Sequence, residues 1–433
     1  MINIIQYPKK EEWQDIVKRP EIDQRQLFDT VQLIIDKVRD EGDYAVKVFE
    51  RKFDKVDIDA LAVPKQEIEQ AEKLIGQQLK EAIEIAHRNI YAFHEAQLYK
   101  TKKITTCEGV TCWQKPMPIQ KVGLYIPGGT APLFSTVLML ATPAKIAGCK
   151  KIILCTPPDK NGNVNPAILF AAKTAGVTDI FKIGGVQAIA AMAYGTQTVP
   201  KVYKIFGPGN QYVMAAKQLV AINDVAIDMP AGPSEVAVVA DQFANPQFVA
   251  ADLLSQAEHG RDSQVILVSD SLQIIEEVEQ ETLRQLEALP RKEIAVEALD
   301  NSRFVLFENL NVAMDFVNEY APEHLILNVK EYEKLAEKVE NAGSVFLGQF
   351  SCESAGDYAS GTNHTLPTKG YAKAYSGVSL DSFIRKITFQ ELSQQGVISI
   401  AKAVETMANN EQLNAHENAM RLRRIAIQNK ENV

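Results

Sequence analysis

From Val122 to Leu347 the chain repeats one pattern: a short apolar run, a turn marked by Gly, Pro or Asn, then a stretch with helical spacing. The runs 151–155, 179–183, 202–206, 264–269 and 325–329 are nearly continuous in apolar side chains. A strand needs that only when helices cover both faces of its sheet. The alternation therefore predicts an α/β fold with parallel sheets. Met229-Pro230-Ala231-Gly232-Pro233 divides it into two α/β units. Ahead of it, 26–53 and 64–97 carry apolar residues at helical spacing, with a break at Asp40-Glu41-Gly42. Strands are expected within 104–126. Residues 348–380 lack periodicity and are rich in Ser, Gly, Thr, Asn and Tyr. A loop of that length in a folded domain is usually functional. Residues 388–433 return to helical spacing with many charges.

With 433 residues, 46% hydrophobic and 23% charged, the chain can bury cores in two to three domains, which excludes disorder as its main theme. A net charge of -9 argues against a general nucleic-acid binder. The five cysteines (Cys107, Cys112, Cys149, Cys155 and Cys352) are odd in number and form no close CxxC pair. Neither a disulfide framework nor a thiolate zinc cluster is expected. The first ten residues hold too short an apolar run for a signal peptide, and no apolar stretch is long enough to span a bilayer. These features predict a cytoplasmic protein.

Six histidines narrow the search for chemistry. His87 and His94 fall in a long helical run and read as ordinary helix histidines. Gln256 and His259 are spaced i, i+3 just before Gly260, so they share a face at a helix C-terminus. That end carries partial negative charge and suits a cation. A polar helix end without metal is the plainer reading. Glu323 and His324 join a carboxylate to an imidazole, the usual general bases near neutral pH. A salt-bridged turn is the competing reading, and the pair's place at the entering end of a strand counts against a site. The long loop adds Asp357, a possible oxygen ligand, and His364. Glu411 and His416 lie in the charged tail, where a solvated helix face is the default. The turns Pro127-Gly128-Gly129-Thr130, Gly184-Gly185-Val186-Gln187 and Gly207-Pro208-Gly209-Asn210 each follow a strand and precede a helix. Backbone N–H groups receive phosphate at such turns. No intact GxGxxG stands there, so a nucleotide is compatible with the pattern and ordinary turn glycines explain it equally.

Taken together, Gly123–Gly129, Gly207–Asn210, Ala231–Glu235, Ser255–Gly260, Ala321–Leu325, Ala355–Tyr358 and Gly361–His364 resemble histidinol dehydrogenases, in order and over nearly the whole chain. The resemblance implies two large α/β domains with incomplete Rossmann-like topology. Small N- and C-terminal helical segments would intertwine a homodimer. It implies a segment 1–20, a first domain from 21–122 and 235–377, an NAD-binding domain from 123–234, and a tail 378–433 that reaches the partner subunit. It implies oxidation of L-histidinol to L-histidine through L-histidinaldehyde, the last step of histidine biosynthesis, with two NAD+ reduced. One zinc per subunit would be held by Gln256, His259, Asp357 and His416, with His416 and Glu411 crossing from the partner. Glu323 and His324 match the acid–base pair. Ser234, His364 and Glu411 match substrate contacts, which the zinc ligands and His324 would share. Tyr125, Gln187 and Asn210 match NAD contacts.

The chemistry suits these residues. His324 as a neutral imidazole is the expected acceptor of the alcohol proton. Glu323 is the expected activator of the water that hydrates the aldehyde. A cysteine thiohemiacetal is disfavoured, because Cys112, Cys149 and Cys155 sit in apolar runs; Cys352, in the loop near Asp357, is the least bland. The runner-up is a zinc-dependent hydrolase without a nucleotide. A reading of another class is a small-molecule-binding protein closing about the hinge.

Overall fold

Each alternating stretch builds one parallel sheet, and the two sheets share a strand order. The first contains β4 (Lys121–Tyr125), β5 (Lys151–Thr156), β6 (Asp179–Lys182), β7 (Lys204–Phe206) and β8 (Ala226–Ile227), in the order β6-β5-β4-β7-β8. The second contains β9 (Glu235–Ala240), β10 (Gln264–Ser269), β11 (Arg303–Leu306), β12 (His324–Asn328) and β13 (Ser344–Leu347). An added edge strand, β1 (Asn3–Gln6), gives the order β1-β11-β10-β9-β12-β13. Apart from β1, both halves follow 3-2-1-4-5, the order of a dinucleotide-binding sheet short of its sixth strand. β9 and β10 are buried at every position, so both faces of the second sheet are covered. This computed structural model describes residues 2–20, 24–128 and 132–431. Gly129 and Thr130 of the first glycine turn lie outside the described residues.

The covering helices start where the sequence supplies a cap. Asn165, Asn210, Asn245 and Asn309 each accept a backbone N–H from the first turn of the helix that follows. Such a cap is worth about 1 kcal/mol over alanine.

The chain divides into two units, Met1–Gln97 with Ile119–Phe383 and Leu98–Pro118 with Ile384–Val433. The second unit carries an antiparallel sheet of β2 (Ile104–Cys107), β3 (Val110–Pro118) and β14 (Ile384–Leu392), ordered β14-β3-β2. Two helices, Gln394–Asn410 and Asn414–Glu431, follow.

Several expectations are corrected. The start of the helical tail, placed at residue 388, is strand; Phe389 stacks on Trp113 of β3 with ring centroids 5.5 Å apart. The run 64–97 is two helices, Lys65–Leu74 and Gln77–Glu95, parted at Gly76. The aperiodic loop contains a helix, Glu353–Tyr358. The grouping of 21–122 with 235–377 also changes. Val31, Ile34, Ile35 and Val38 of helix Gln24–Glu41 share a core with Ile189 and Ala190, against the five-stranded sheet. Residues 98–118 belong with the C-terminal segment. An amphipathic stripe shows that a helix is buried but not which sheet buries it. None of the described helices is long and apolar enough to cross a membrane.

Candidate functional site

The chemistry gathers at the amino edge of the six-stranded sheet. His324 is the first residue of β12 and Glu235 the first of β9. Ala321 ends helix Leu310–Tyr320 in the left-handed region, at φ 53°. Such strain costs about 1–3 kcal/mol and persists only where the surroundings enforce it. Here it turns the chain into Pro322-Glu323-His324. The entering end of the strand, which counted against a site, is where these residues meet.

Glu323 is buried, and its Oε2 accepts the backbone N–H of Glu235 at 3.0 Å. The hydrogen-bond network orients the Gln256 amide so that its oxygen accepts the same N–H at 2.9 Å and its nitrogen donates to Glu353. Glu235 is paired with Arg19, which reaches both carboxylate oxygens and also donates to the Tyr320 carbonyl at 2.7 Å. The guanidinium lies over the Tyr320 ring, 4.1 Å from its centroid.

His324 is ringed by acids. Its Nδ1 is 3.7 Å from both Glu323 and Glu353, and its Nε2 is 3.5 Å from Asp357. Both ring nitrogens are buried without a hydrogen-bond partner among the described residues. Burial of the ring works against its charge, but Glu353, Glu323 and Asp357 outweigh it and push the imidazole up to about 10. Burial likewise raises Glu323 and Glu353 to about 8. The ring and these acids thus compete for the same protons.

His259, Glu353 and Asp357 bring one ligand atom each to within 4.8 Å of one another. The described residues give neither Glu353 nor Asp357 a Lys or Arg partner. A concentration of carboxylate with so little opposing charge is costly unless a cation joins it. Imidazole and carboxylate donors, with the Gln256 amide adjoining, suit zinc and other divalent first-row metals. The residues present fit a metal. Glu353 was not among the expected ligands, yet Glu353 and Asp357 are spaced i, i+4 on one short helix, a signal the sequence carried.

Other expected contacts are distributed as follows. Ser234 is half-buried just ahead of β9. His364 is fixed at both ring nitrogens, 2.9 Å from the Asp357 carbonyl and 3.1 Å from the Thr136 hydroxyl. Glu411 and His416 belong to the second unit and are exposed, Glu411 in the turn between its C-terminal helices and His416 on the second of them. Cys149 and Cys155 are buried, and desolvation raises both thiols, Cys149 to about 12, as inert cysteines require.

Tyr125, Gln187 and Asn210 line a cleft of about 1210 Å³ at the carboxyl edge of the five-stranded sheet, where open α/β sheets take ligands. Tyr125 ends β4, and its hydroxyl accepts the Gly185 N–H at 3.1 Å. Asn210 uses its oxygen to cap the next helix, which leaves its amide nitrogen for the cleft. Gly207 is obligatory between them. At φ 123° a Cβ there would strike the Tyr125 carbonyl. Buried Lys217 and Asp228 form an ion pair that grips Gly207 by its carbonyl, at 2.8 Å, and by its N–H, at 2.9 Å.

Residues 17–424 match the family model described as histidinol dehydrogenase. The chain belongs to the histidinol dehydrogenase family. A histidinol dehydrogenase of Bacteroides thetaiotaomicron is 65% identical, over 98% of this chain and 99% of that one. The chloroplastic histidinol dehydrogenase of Arabidopsis thaliana is 53% identical, over 94% of this chain and 87% of that one. The crystal structure of histidinol dehydrogenase from Elizabethkingia anophelis superposes with a TM-score of 0.97 at 51% identity, each chain covered to 99%. Membership of the histidinol dehydrogenase family makes the chain an oxidoreductase and sets aside the hydrolase and binding-protein readings.

Proposed function

We propose that the chain oxidises L-histidinol to L-histidine by way of L-histidinaldehyde, reducing two NAD+, as the final step of histidine biosynthesis. The observation that carries this reading is His324, buried with two unpartnered ring nitrogens among Glu323, Glu353 and Asp357 and beside the His259 ligand set. A zinc ion held by Gln256, His259, Asp357 and His416 of the partner subunit, with Glu353 adjoining, would seat the amino alcohol and offset the acids that raise the proton affinity of His324.

The chain's own residues then divide the proton work. In the first oxidation His324 accepts the hydroxyl proton as hydride leaves the carbinol carbon for NAD+, giving aldehyde and NADH. Glu323, anchored through Oε2, presents its other oxygen to a water, takes a proton from it, and the hydroxide adds to the aldehyde carbon. Once His324 has released its first proton to solvent, the hydrate anion gives the second hydride to a fresh NAD+ while His324 takes the remaining hydroxyl proton, giving carboxylate. His364, pinned between the Asp357 carbonyl and Thr136, serves with Ser234 and the partner's Glu411 to orient the substrate. NAD occupies the cleft of Tyr125, Gln187 and Asn210. The segment 378–433 crosses to a second copy, so that each site of a homodimer draws on both chains.

The test is stoichiometric. Two NADH should form per L-histidinol consumed, and chelation should abolish turnover until zinc is restored. A ratio of one, or activity indifferent to chelation, would overturn the reading. Sharing between subunits has its own test. After subunit exchange, inactive His416→Ala and Glu323→Gln homodimers should rebuild one intact site per mixed dimer. No recovery after verified exchange would place the tail in its own subunit.

A further inference from the structure

Behind the wall of the large cleft lies a buried acid that the chemistry above does not use. Residues Glu50–Asp54 form a single π-helical segment, closed by Lys55 in the left-handed region at φ 61°. Such segments are rare and gather at functional sites. Here the segment brings two carboxyls together. Asp54 lines the cleft, while Glu50 lies behind it and is fully buried.

Glu50 is tied to the cleft through one amide. Its Oε1 accepts the Gly184 N–H at 2.9 Å and the Gln187 Nε2 at 2.8 Å. Gln187 Nε2 also lies 3.4 Å from Asp54 Oδ2. Two buried atoms remain without a partner among the described residues, Glu50 Oε2 and Gln187 Oε1. The first is accounted for if Oε2 carries a proton and donates it to Asp54, which approaches the same Gln187 amide as Glu50 does. The second is an acceptor on a residue that lines the cleft. A buried acceptor left unmade costs free energy that a ligand N–H recovers.

We propose that Glu50 is a positioning residue for the nucleotide: sharing one proton with Asp54, it fixes the Gln187 amide so that Oε1 receives an N–H of the ligand, an amide or exocyclic amine. The inference rests on the reading of this cleft as the NAD site. The electrostatics agree with the geometry. Burial first, and then the Asp54 charge, raise Glu50 to about 7; burial also raises Asp54. Tyr125 from β4 and Cys155 from β5 face the pair, both un-ionised at neutral pH because burial raises them. Gly184 and Gln187 face it from the next helix. Among the described residues no Lys or Arg pairs with either carboxyl. Below pH 7 the pair therefore carries one negative charge. Above it the pair carries two, unscreened, beside a cleft that must admit a pyrophosphate.

The test is NADH binding, followed by its fluorescence without L-histidinol between pH 6 and 8.5. The parent protein should bind about fivefold more weakly at the upper limit, as one added buried charge near the phosphates demands. Glu50→Ala should weaken binding about tenfold at pH 6 through loss of the amide's anchor. Glu50→Gln can accept the same two N–H groups and donate permanently to Asp54. It should match the parent at pH 6 and show no pH dependence. Glu50→Gln with the parent's slope, or folded Glu50→Ala with the parent's affinity, overturns the proposal. If Glu50→Ala does not fold, the Glu50→Gln slope decides alone. Tyr125→Phe and Asn210→Ala separate the two levels. If they weaken NADH binding and the Glu50 variants do not, only the role of Glu50 falls. If none of the four changes binding, the nucleotide reading of the cleft falls with it.

Discussion

The backbone N–H of Glu235 stands 3.0 Å from Oε2 of Glu323, so the first residue of β9 aims the carboxylate that precedes β12. The contact needs an acceptor but no charge. Glu323→Gln keeps the acceptor and loses the base. It is expected to leave the thermal midpoint within a degree or two while lowering aldehyde oxidation by about 10² to 10³. Single-turnover rates with L-histidinol and with L-histidinaldehyde check this. Equal losses in the two half-reactions would remove Glu323 from the hydration step.

Arg19 supports the same arrangement from behind. Its removal leaves Glu235 buried and unpaired, which costs about 3–5 kcal/mol. Arg19→Met should lower the unfolding free energy, read from urea titration, by that amount. Arg19→Lys should recover only part of it, because one ammonium cannot bridge both carboxylate oxygens and the Tyr320 carbonyl.

Glu353 carries the expectation for the metal. Its carboxylate is one of three groups within ligand reach of each other, and it also receives the Gln256 amide. Glu353→Gln is expected to weaken zinc retention about 10- to 100-fold, the usual effect of altering a group that touches the ligands. Metal content after dialysis against graded chelator measures it. Retention equal to the parent's would leave Glu353 a partner of His324 and Gln256 only.

At Gly207 the expectation is steric. An alanine Cβ would meet the backbone carbonyl of Tyr125, which cannot swing aside as a side chain can. Gly207→Ala should destabilise the fold by about 2 kcal/mol or more and weaken NADH binding, because Tyr125 and the Asn210 turn must both move. Thermal unfolding and NADH fluorescence report the two effects separately.

His94 gives a pH signature away from the metal. Its Nδ1–H donates to the Ile90 carbonyl at 2.9 Å, and its Nε2 accepts from Asn363, whose amide nitrogen also donates to the Met139 carbonyl at 2.6 Å. Burial lowers the ring's affinity for a proton, and a proton on Nε2 would set N–H against N–H. Its contribution to stability is present above the unfolded pKa, about 6.5, and is lost as pH falls below it. The gap in melting temperature between the parent and His94→Gln should therefore narrow from pH 7.5 to 5.5. A gap that stays constant would show that the ring does not titrate on unfolding.

The sequence made the two sheets legible because their strands are apolar throughout and punctuated by Gly, Pro and Asn; 264–269 and 344–347 match β10 and β13 at both ends. β14 was not legible. Ile384, Ile387 and Phe389 do not alternate strictly, and charged neighbours suit a helix as well as an exposed strand. Helix Lys292–Asp300 carries no motif and escaped notice. Within the site, Gln256, His259, Glu323, His324 and Asp357 stood out through local spacing and resemblance. Arg19 and Glu235 did not, because their meaning comes from a contact between residues 216 positions apart. No pattern along one segment encodes that. The raised proton affinity of His324 was equally hidden, since two of the three acids that create it, Glu353 and Asp357, come from a helix about thirty residues further along the chain.

The pairing of β3 with β14 bears on how the molecule comes into being. β3 emerges early in synthesis with its nine-residue partner more than two hundred residues behind it on the message. Through that interval its outer edge stays open, an invitation to the same strand of a neighbouring nascent chain. Both parallel sheets can close before the C-terminal segment is made, whereas the antiparallel ribbon must await it. Maturation of this protein thus ends with a zipper, and any shortage of chaperone cover should be felt first at β3.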